Sequence, residues 1–229
     1  MIPTLNERGN IAALVDAVFA LEVPGLEILI VDDESPDGTA DLVLELARTR
    51  PGLNLLRRAS PAGRGYAGQD GFLYALEHGA SCLIEMDADF SHQPRHIPAL
   101  LAALDSCDVA IGSRRAPGGS DRERSTLRRW LTLAANTYAR VLLGLPASDA
   151  NSGFRCFSRK ALETIEPATL ESTGPAIIHE TLYRAARAGL RVREVPIDFV
   201  DRAKGSSKLG LGQLAAGWLA ILKLRLTGG

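Results

Sequence analysis

The chain has 229 residues, and 46% of them are apolar, which is enough for one buried core in a single α/β domain. Its 26 basic and 27 acidic side chains leave a formal net charge of −1. No overall field therefore points to nucleic acid or to an acidic polymer as a partner. The charge is uneven, because basic residues cluster at 114–115, 122–129 and 202–208 while acidic residues concentrate in the first part of the chain.

The cysteines and the N-terminus indicate the compartment. Cys82, Cys107 and Cys156 are too few and too scattered for a disulfide framework or a zinc site, so we predict three reduced thiols, with Cys82 in a strand. The N-terminus lacks the charged and apolar regions of a signal peptide. No segment approaches the roughly 20 apolar residues of a membrane-spanning helix. These features predict a cytosolic protein that meets a membrane from one side only.

Short apolar runs alternate with helical periodicity in the first half. Ile28–Val31 is continuously apolar, which is typical of a parallel strand buried on both faces. Further strands are predicted at Leu53–Leu56, Cys82–Ile84 and Val109–Ile111, and helices at Ile11–Leu21, Thr39–Thr49, Gln69–His78 and Ile97–Leu104. This order favours right-handed crossovers and a mostly parallel central sheet with helices on both faces.

The first strand has little sequence in which to form. Only Met1 and Ile2 precede the turn expected at Pro3. We therefore expect this strand to be short and frayed.

The regular alternation of predicted strands and helices ends after residue 112. A loop at 116–120 precedes a long helical pattern at Leu127–Leu143. An edge strand is predicted at Gly153–Ser158, a helix at Ala176–Ala188, an extended segment at Val192–Val200 broken at Pro196, and a last helix at Leu211–Leu226. The second half therefore elaborates one domain, residues 1–229, rather than forming a second.

Charged residues follow three of the predicted strands. Asp32 comes after the run at Ile28–Val31, Asp87 and Asp89 follow Met86, and Arg114 follows the strand at Val109–Ile111. Ligands of α/β sheets bind outside the carboxyl ends of the strands, so these side chains should face one crevice. Mg²⁺ prefers one or two carboxylates with phosphate oxygens. The pattern favours a metal-nucleotide site, although an Asp-x-Asp pair alone is also compatible with a loop aspartate that caps a helix.

Two other patterns are weaker. A zinc site at His92 and His96 is disfavoured, because Pro94 separates them and no third ligand has suitable spacing; a solvated pair is expected. Gly63–Gly68 matches the dinucleotide fingerprint G-x-G-x-x-G, but it follows the third strand rather than the first. These glycines are expected to let the backbone approach a ligand or the sheet closely.

Several segments together resemble a known family. Pro3–Glu7 and Val31–Thr39 resemble the start of family 2 glycosyltransferases, which have the GT-A fold, a Rossmann-like nucleotide-diphospho-sugar transferase fold. The resemblance narrows with Met86–Pro94, Gly112–Arg114, Ser152–Arg155 and Val200–Leu209 to the dolichyl-phosphate (polyprenyl-phosphate) mannose synthases, in the branch without transmembrane helices. The resemblance covers nearly the whole chain, and its motifs occur in order.

The resemblance implies roles for individual residues. Those assigned to the nucleotide sugar are Pro3, Thr4, Asn6, Glu7, Asp32, Arg64, Asp87 and Ala88. Asp87 and Asp89 would hold Mg²⁺ or Mn²⁺, with Asp89 the firmer ligand and Ser91 where some members have glutamine. Those assigned to the acceptor phosphate are Arg114, Arg128, Thr132, Arg202 and Lys208, since arginine binds phosphate in a bidentate manner. Asp89 and the three arginines form the implied catalytic set.

The implied reaction transfers mannose from GDP-mannose to polyprenyl or dolichyl phosphate with inversion. A phosphate acceptor is already anionic at neutral pH, so no general base is required. Another sugar donor such as UDP-glucose remains an alternative. A nucleotidyltransferase is less favoured, because Pro3–Glu7 is not the basic glycine-rich loop expected there, and a non-catalytic regulator is disfavoured by the intact charged residues.

The C-terminal helix has two interpretations. Leu211–Leu226 is either a packing helix or an interfacial helix, with Trp218 at headgroup depth and Lys223 and Arg225 near anionic lipid. The predicted organisation is a nucleotide-sugar and metal half at 1–112, an acceptor half at 113–210 and this helix at 211–229. The predicted location is peripheral, on the cytoplasmic side of the cell membrane, and a membrane-anchoring partner protein is left open.

Overall fold

The computed structural model describes residues 1–59, 61–121, 126–200 and 211–227, with backbone alone for 127, 128 and 211–216. The strands are β1 Ile2–Thr4, β2 Ile28–Asp32, β3 Leu53–Arg57, β4 Cys82–Glu85, β5 Val109–Ser113, β6 Arg155–Ser158 and β7 Val192–Pro196. The α-helices are α1 Arg8–Phe19, α2 Thr39–Ala47, α3 Arg64–Glu77, α4 Ile97–Ala103, α5 Thr126–Leu143, α6 Arg159–Ile165, α7 Ile177–Arg187 and α8 Leu211–Thr227. Short 3₁₀ helices lie at Pro94–His96 and Pro167–Thr169.

The strands form two sheets that meet at Met1. The first is parallel, with the order β1-β2-β3; the second has the order β4-β6-β5-β7, with β5 and β7 parallel. The N-terminal amino group of Met1 donates to the carbonyl oxygen of Ile84 at 2.8 Å, and the Met1 carbonyl accepts from the N–H of Met86 at 3.2 Å. β1 and β4 are thereby bonded side by side, and the sheet is mostly parallel, as the sequence predicted.

The prediction for the first strand is half right. β1 is short, at three residues, but it is not frayed: Ile2 pairs with Ile30 and Thr4 pairs with Asp32. Ile2 is 2% exposed and packs with apolar residues of β2 and α1. Burial of this one large side chain fixes the strand against its neighbours.

The predicted edge strand at Gly153–Ser158 is wrong in its place. It is β6, which lies between β4 and β5 and runs antiparallel to both. β7 occupies the edge instead. Phe154, just before β6, and Arg155, Cys156 and Phe157 within it are all fully buried, as expected for a strand with neighbours on both sides.

Helices cover both faces of the sheet. Ile30 of β2 belongs to a core cluster that includes buried side chains of α1, α2 and α4, and Val31, the next residue, belongs to a second cluster with side chains of α3, α5, α6, α7 and α8. Adjacent strand residues point to opposite faces, so two helical layers bury the two sides of one strand. The core joins Val31 near the start of the chain to Leu224 near its end, while the functional division at 112 and 210 stays a prediction.

Two helices differ from expectation. α3 begins at Arg64, five residues before the predicted Gln69, so glycines of the Gly63–Gly68 pattern lie within it. α6 was not predicted; it follows β6 directly, and its N-cap Ser158 accepts a hydrogen bond from the N–H of Ala161 at 3.1 Å. None of the described helices is long and apolar enough to span a bilayer.

Candidate active site

The ends of β1 and β2 are tied together by Asp32. This carboxylate is fully buried and accepts hydrogen bonds from the hydroxyl of Thr4 at 2.9 Å, and from the hydroxyl and N–H of Ser35 at 2.6 and 2.9 Å. Two of the residues predicted to hold the nucleotide are therefore in direct contact. Asp32 orders the loop after β2, and the buried carboxylate is satisfied by these bonds.

The loop after β1 is fixed to the loop after β2. Asn6 has a φ of +62°, a left-handed conformation that asparagine tolerates. Its N–H donates to the Ser35 hydroxyl at 2.9 Å, and the N–H of Glu7 donates to the Thr39 hydroxyl at 3.0 Å. Pro3, which lies opposite Val31 in the ladder, leads directly into this loop. The predicted nucleotide-binding residues of the first strand thus lie at the carboxyl end of the sheet.

The Asp-x-Asp motif follows β4 in a tight loop. Oδ1 of Asp87 accepts from Nη1 of Arg64 at 2.6 Å, and the N–H of Asp87 donates to Nδ1 of His92 at 3.0 Å. Asp89 is 8% exposed, and its Oδ1 accepts from the N–H of Ser91 at 3.0 Å. Ala88 between them is buried in the core. The loop is therefore anchored by Ala88 and carries a carboxylate on either side of it.

Arg64 joins α3 to this loop. Its guanidinium contacts Asp87 and also Glu85, at 2.9 Å from Nη2 to Oε1, and Glu85 is only 1% exposed. Burial opposes the charge of Arg64, but the charges of Asp87 and Glu85 outweigh it and raise the Arg64 pKa. The sequence pattern placed Arg64 in a glycine-rich loop, whereas in the structure its guanidinium group pairs with the carboxylates of Asp87 and Glu85.

His92 lies inside the site, which corrects the expectation of a solvated pair. It is 3% exposed and stacks on Phe154 with ring centroids 5.0 Å apart. Burial lowers the His92 pKa; the charges of Asp87 and Asp89 act to raise it, and those of Arg64 and Arg114 act to lower it. Two carboxylates and two guanidinium groups thus act on this imidazole, and the lowered pKa favours its neutral form.

His96 is also bonded rather than solvated. Its Nε2 accepts from the N–H of Asp198 at 3.2 Å, and burial together with the charge of Arg95 lowers its pKa. The two histidines thus hold the segment around Asp198 and Phe199 against the acidic loop. A backbone β-bridge between His92 and Phe199 adds to this contact. Both are orienting contacts that their sequence spacing does not reveal.

Arg114 at the end of β5 is held by a partner that the sequence analysis missed. Nε and Nη2 donate to the two carboxylate oxygens of Asp149 at 2.7 and 2.5 Å, and the N–H of Arg114 donates to Asp149 as well. The side chains are 8% and 0% exposed. Burial alone raises the pKa of Asp149, but the bonds and charge of Arg114 outweigh it and lower that pKa.

The pair is supported by a buried amide. Asn136 of α5 donates to Asp149 at 3.2 Å, and its oxygen accepts from the N–H and the Nδ2 of Asn151 at 2.9 and 2.8 Å. Arg114 also lies over the ring of Phe199, with Cζ 5.1 Å from the ring centroid. Its guanidinium is therefore fixed by a carboxylate on one side and an aromatic ring on another.

The glycines of the Gly63–Gly68 pattern serve close packing. A Cβ on Gly65 would lie 1.9 Å from the carbonyl oxygen of Ser172, and a Cβ on Gly63 would lie 2.6 Å from that of Thr173. The N–H of Gly65 donates to the Thr173 oxygen at 3.0 Å. The N-terminus of α3 thus packs closely on the loop before α7, whereas the expected partner of Gly63 and Gly65 was a ligand or the sheet.

The acidic loop fits a hard divalent cation. Asp87 and Asp89 offer carboxylate oxygens, and Ser91, 2% exposed, follows them in the same loop. Among the described residues there is no group of three or more His, Cys, Asp or Glu side chains arranged for a metal. This donor set suits Mg²⁺ or Mn²⁺, which take one or two carboxylates and complete their shell with phosphate oxygens and water, and not a cation that needs an all-protein cage.

Several predicted acceptor residues are not seen in full. Arg202, Lys208 and the side chain of Arg128 lie outside the described residues. Thr132 lies on α5, partly buried. Arg129, next to Arg128, pairs with Asp121 at 3.1 Å from Nε to Oδ1. The acceptor-phosphate set therefore stays a prediction beyond Arg114.

A cavity at the opposite edge of the sheet is unrelated to this chemistry. It measures about 520 Å³ and is lined by the first residues of β2 and β4, including Ile28 and Cys82, beside Met1. Its lining is mainly apolar and holds none of the carboxylates or arginines described above. The candidate active site is therefore identified by its charged side chains and not by the volume of a cavity.

The chain was compared with known proteins. Residues 1–166 match the model of glycosyl transferase family 2. The chain is 40% identical over 212 residues to the undecaprenyl-phosphate mannosyltransferase of Micrococcus luteus, covering 93% of this chain and 87% of that one. It is 43% identical over 211 residues to the polyprenol monophosphomannose synthase of Mycolicibacterium smegmatis, covering 91% and 79%.

The fold has a solved counterpart. Glucosyl-3-phosphoglycerate synthase from Mycobacterium tuberculosis, in complex with Mn²⁺, UDP-glucose and phosphoglyceric acid, superposes with a TM-score of 0.70 at 20% identity. The match covers 99% of this chain and 77% of that one. At this identity the likeness shows the fold alone. With the family match and the two close relatives, it shows that the chain belongs to glycosyltransferase family 2 and is a glycosyltransferase with the GT-A fold.

Proposed function

We propose that this enzyme transfers mannose from GDP-mannose to a polyprenyl phosphate, of the dolichyl or undecaprenyl type, with inversion at the anomeric carbon. The observation that carries the proposal is the acidic loop after β4, where Asp87 binds Arg64, together with Arg114 held in a fixed position after β5. Two anions, a nucleotide diphosphate and a phosphate acceptor, require such a site. The names of the two relatives, a mannosyltransferase and a monophosphomannose synthase, support mannose as the sugar and a polyprenyl phosphate as the acceptor.

The donor is proposed to lie at the carboxyl ends of β1, β2 and β4. Pro3, Thr4, Asn6, Glu7 and Asp32 of the first two strands would take the base and ribose, and Arg64, Asp87 and Ala88 the diphosphate side. Asp87 and Asp89, with Ser91, would hold Mg²⁺ or Mn²⁺. A bound divalent ion supplies Lewis-acid stabilisation of the negative charge on the leaving diphosphate.

The acceptor phosphate is proposed to meet Arg114. Asp149 takes Nε and Nη2 of this arginine, and no described residue accepts a hydrogen bond from Nη1. That edge of the guanidinium would bind a phosphate oxygen, with Arg128, Thr132, Arg202 and Lys208 as further proposed contacts. Another phosphate oxygen then forms a bond to the anomeric carbon as the bond to the diphosphate breaks. The nucleophile is already an anion, so this chain needs no base to remove a proton.

The role of the arginines is positional and electrostatic. Two anions repel each other, and Arg64 and Arg114 offset this on the donor and acceptor sides. Holding both reactants in line contributes up to about 7–11 kcal/mol to lowering a bimolecular barrier. The Arg114 geometry is fixed before substrate binds, because Asp149 and Phe199 already hold it.

The proposal is tested with a donor panel. GDP-mannose, GDP-glucose, UDP-glucose and UDP-mannose are each incubated with a polyprenyl phosphate, with Mg²⁺ or Mn²⁺ or with a chelator. We expect product from GDP-mannose and metal only, released by mild acid as mannose. Transfer from UDP-glucose at an equal rate would replace the proposed donor, and transfer to a simple alcohol but not to the phosphate would replace the acceptor.

A lipid acceptor implies a membrane surface as partner. We propose peripheral association, and the cytoplasmic side of the cell membrane stays a prediction, as does any anchoring partner protein.

A further inference from the structure

The C-terminal helix α8 has apolar residues on two opposite sides. Ile221 and Leu224 are 3% and 6% exposed and belong to the core. Leu219 and Leu226 are 65% and 77% exposed. The two sequence interpretations, a packing helix and an interfacial helix, therefore describe two faces of the same helix.

The exposed apolar side of α8 is a continuous stripe. At about 100° per residue, Trp218, Leu219, Leu222 and Leu226 fall within an arc of roughly 100° on the side away from the core. Lys223 and Arg225 stand at its two borders. Core packing through Ile221 and Leu224 fixes the rotation of the helix, so the stripe points outward in a defined direction.

Helix α5 extends this stripe. Trp130 and Val141 are 65% and 76% exposed and project from the same side of α5, with the exposed Ala134 between them. Tyr138 of α5 stacks on Trp218, with ring centroids 5.0 Å apart, and its hydroxyl donates to the Trp218 carbonyl at 3.2 Å. We name the surface formed by Trp130, Val141, Trp218, Leu219, Leu222 and Leu226 the α5–α8 face.

The charge of the two helices is of one sign. Neither 126–143 nor 211–227 contains an aspartate or glutamate, whereas the whole chain has 27. Their charged residues are Arg128, Arg129, Arg140, Lys223 and Arg225. Acidic neighbours come only from other elements among the described residues: Asp121 pairs with Arg129, and Glu171 pairs with Lys223 at 3.2 Å. The basic partner of each pair is more than half exposed, and ion pairs at the surface are weak.

We propose that the α5–α8 face is the surface by which the enzyme lies on a bilayer that carries anionic lipids. Exposed apolar residues bordered by basic ones, with tryptophan among them, match the boundary between acyl chains and headgroups. A second copy is a poorer occupant, since a two-fold contact would bring the basic borders of both copies together. The inference rests on the proposed function in one respect, that a lipid acceptor requires such a surface.

The tryptophans provide the experiment. The chain has two, Trp130 and Trp218, and both lie on the α5–α8 face, so intrinsic fluorescence reports on this face without a label. The full-length protein is titrated with phosphatidylcholine vesicles containing phosphatidylglycerol and no polyprenyl phosphate. We expect emission to shift to shorter wavelength and brominated phospholipid to quench it. Sedimentation with the vesicles without either change would overturn the proposal.

A matched set of variants tests the face itself. Leu219→Gln with Leu226→Gln removes two exposed apolar side chains of α8, and Leu44→Gln on α2, 48% exposed on the other side of the sheet, is the control. We expect the double variant to bind vesicles about tenfold more weakly or worse, and the control to bind as the parent does. Unchanged binding of the double variant would overturn the proposal. So would a parent protein that ignores protein-free vesicles, or a dimer that the double variant dissociates.

Failure of the proposed function is separable from failure of this inference. The vesicles contain no acceptor, so binding is measured without catalysis. Turnover is then measured with a water-soluble short-chain prenyl phosphate, where the double variant is expected to equal the parent. Loss of turnover on long-chain acceptor in vesicles alone supports the docking role; equal loss on the soluble acceptor shows a damaged enzyme and contradicts it.

Discussion

The candidate active site, at the carboxyl ends of the strands, and the α5–α8 face use charged residues in opposite ways. In this site, Asp87, Asp89, Arg64 and Arg114 are at least partly buried, and hydrogen bonds of 2.5–3.0 Å hold each in a defined position. On the face, basic residues are exposed and border apolar side chains with few fixed partners. Reacting groups need a fixed geometry. Binding to a fluid lipid surface, in contrast, needs only exposed apolar area and positively charged side chains.

The largest effect on activity is expected from the loop that contains Asp87 and Asp89. Asp89→Ala removes the firmer of the two proposed metal ligands and should lower kcat by about 10³-fold or more, because metal stabilisation of the leaving group amounts to several kcal/mol. The fold should persist, which circular dichroism and thermal unfolding would check. An active Asp89→Ala enzyme would refute the metal assignment.

The buried ion pair offers the next effect. Asp149→Asn leaves the charge of Arg114, 8% exposed, without its carboxylate and should lower the free energy of unfolding by about 3–5 kcal/mol at pH 7. The Asp149 pKa is lowered in the folded state, so this contribution is complete above the unfolded value, about 3.9, and is lost as pH falls further. Denaturant unfolding at pH 7 and pH 3 checks this, and an equal difference at both would contradict it.

A glycine substitution tests the packing under Arg64. Gly65→Ala places a Cβ 1.9 Å from the Ser172 oxygen, a backbone contact that cannot move aside cheaply, so we expect a loss of about 3 kcal/mol. Gly9→Ala in α1 is the matched control, since its Cβ meets nothing within 4 Å, and should be neutral or stabilise by about 0.5 kcal/mol. Equal stability of the two variants would show that the loop before α7 yields.

The smallest effect is expected on the face. Leu219→Gln with Leu226→Gln should change the free energy of unfolding by no more than about 0.5 kcal/mol, because both side chains are mostly exposed. A loss of several kcal/mol by urea denaturation would mean that α8 packs through this side too, and the contrast between the two regions would disappear.

Sequence patterns predicted what depends on local order. The continuous run at Ile28–Val31 predicted β2, and the charged residues after it and after β4 predicted which edge carries the site. The place of β6 was missed, because the insertion of an antiparallel strand between β4 and β5 is decided by tertiary packing. The four residues of β6, of which only Cys156 and Phe157 are apolar, are compatible with either an edge or a central position.

Contacts between residues that are distant in the sequence could not be predicted either. Asp149 lies 35 residues from Arg114, and no spacing rule connects them. His92 was expected in solvent, yet Phe154, which directly precedes β6, stacks on it. The two faces of α8 were seen as alternatives, since periodicity alone does not tell which apolar residues meet the core.

The central claim is that the Asp87–Asp89 loop binds the donor through a divalent ion. Calorimetric titration of GDP into the parent and into Asp89→Ala, each with Mn²⁺ and with a chelator, tests this most directly. We predict tight binding to the parent with Mn²⁺ only, and weak binding to Asp89→Ala that Mn²⁺ does not improve. Equal GDP affinity with and without the metal in the parent would contradict the account.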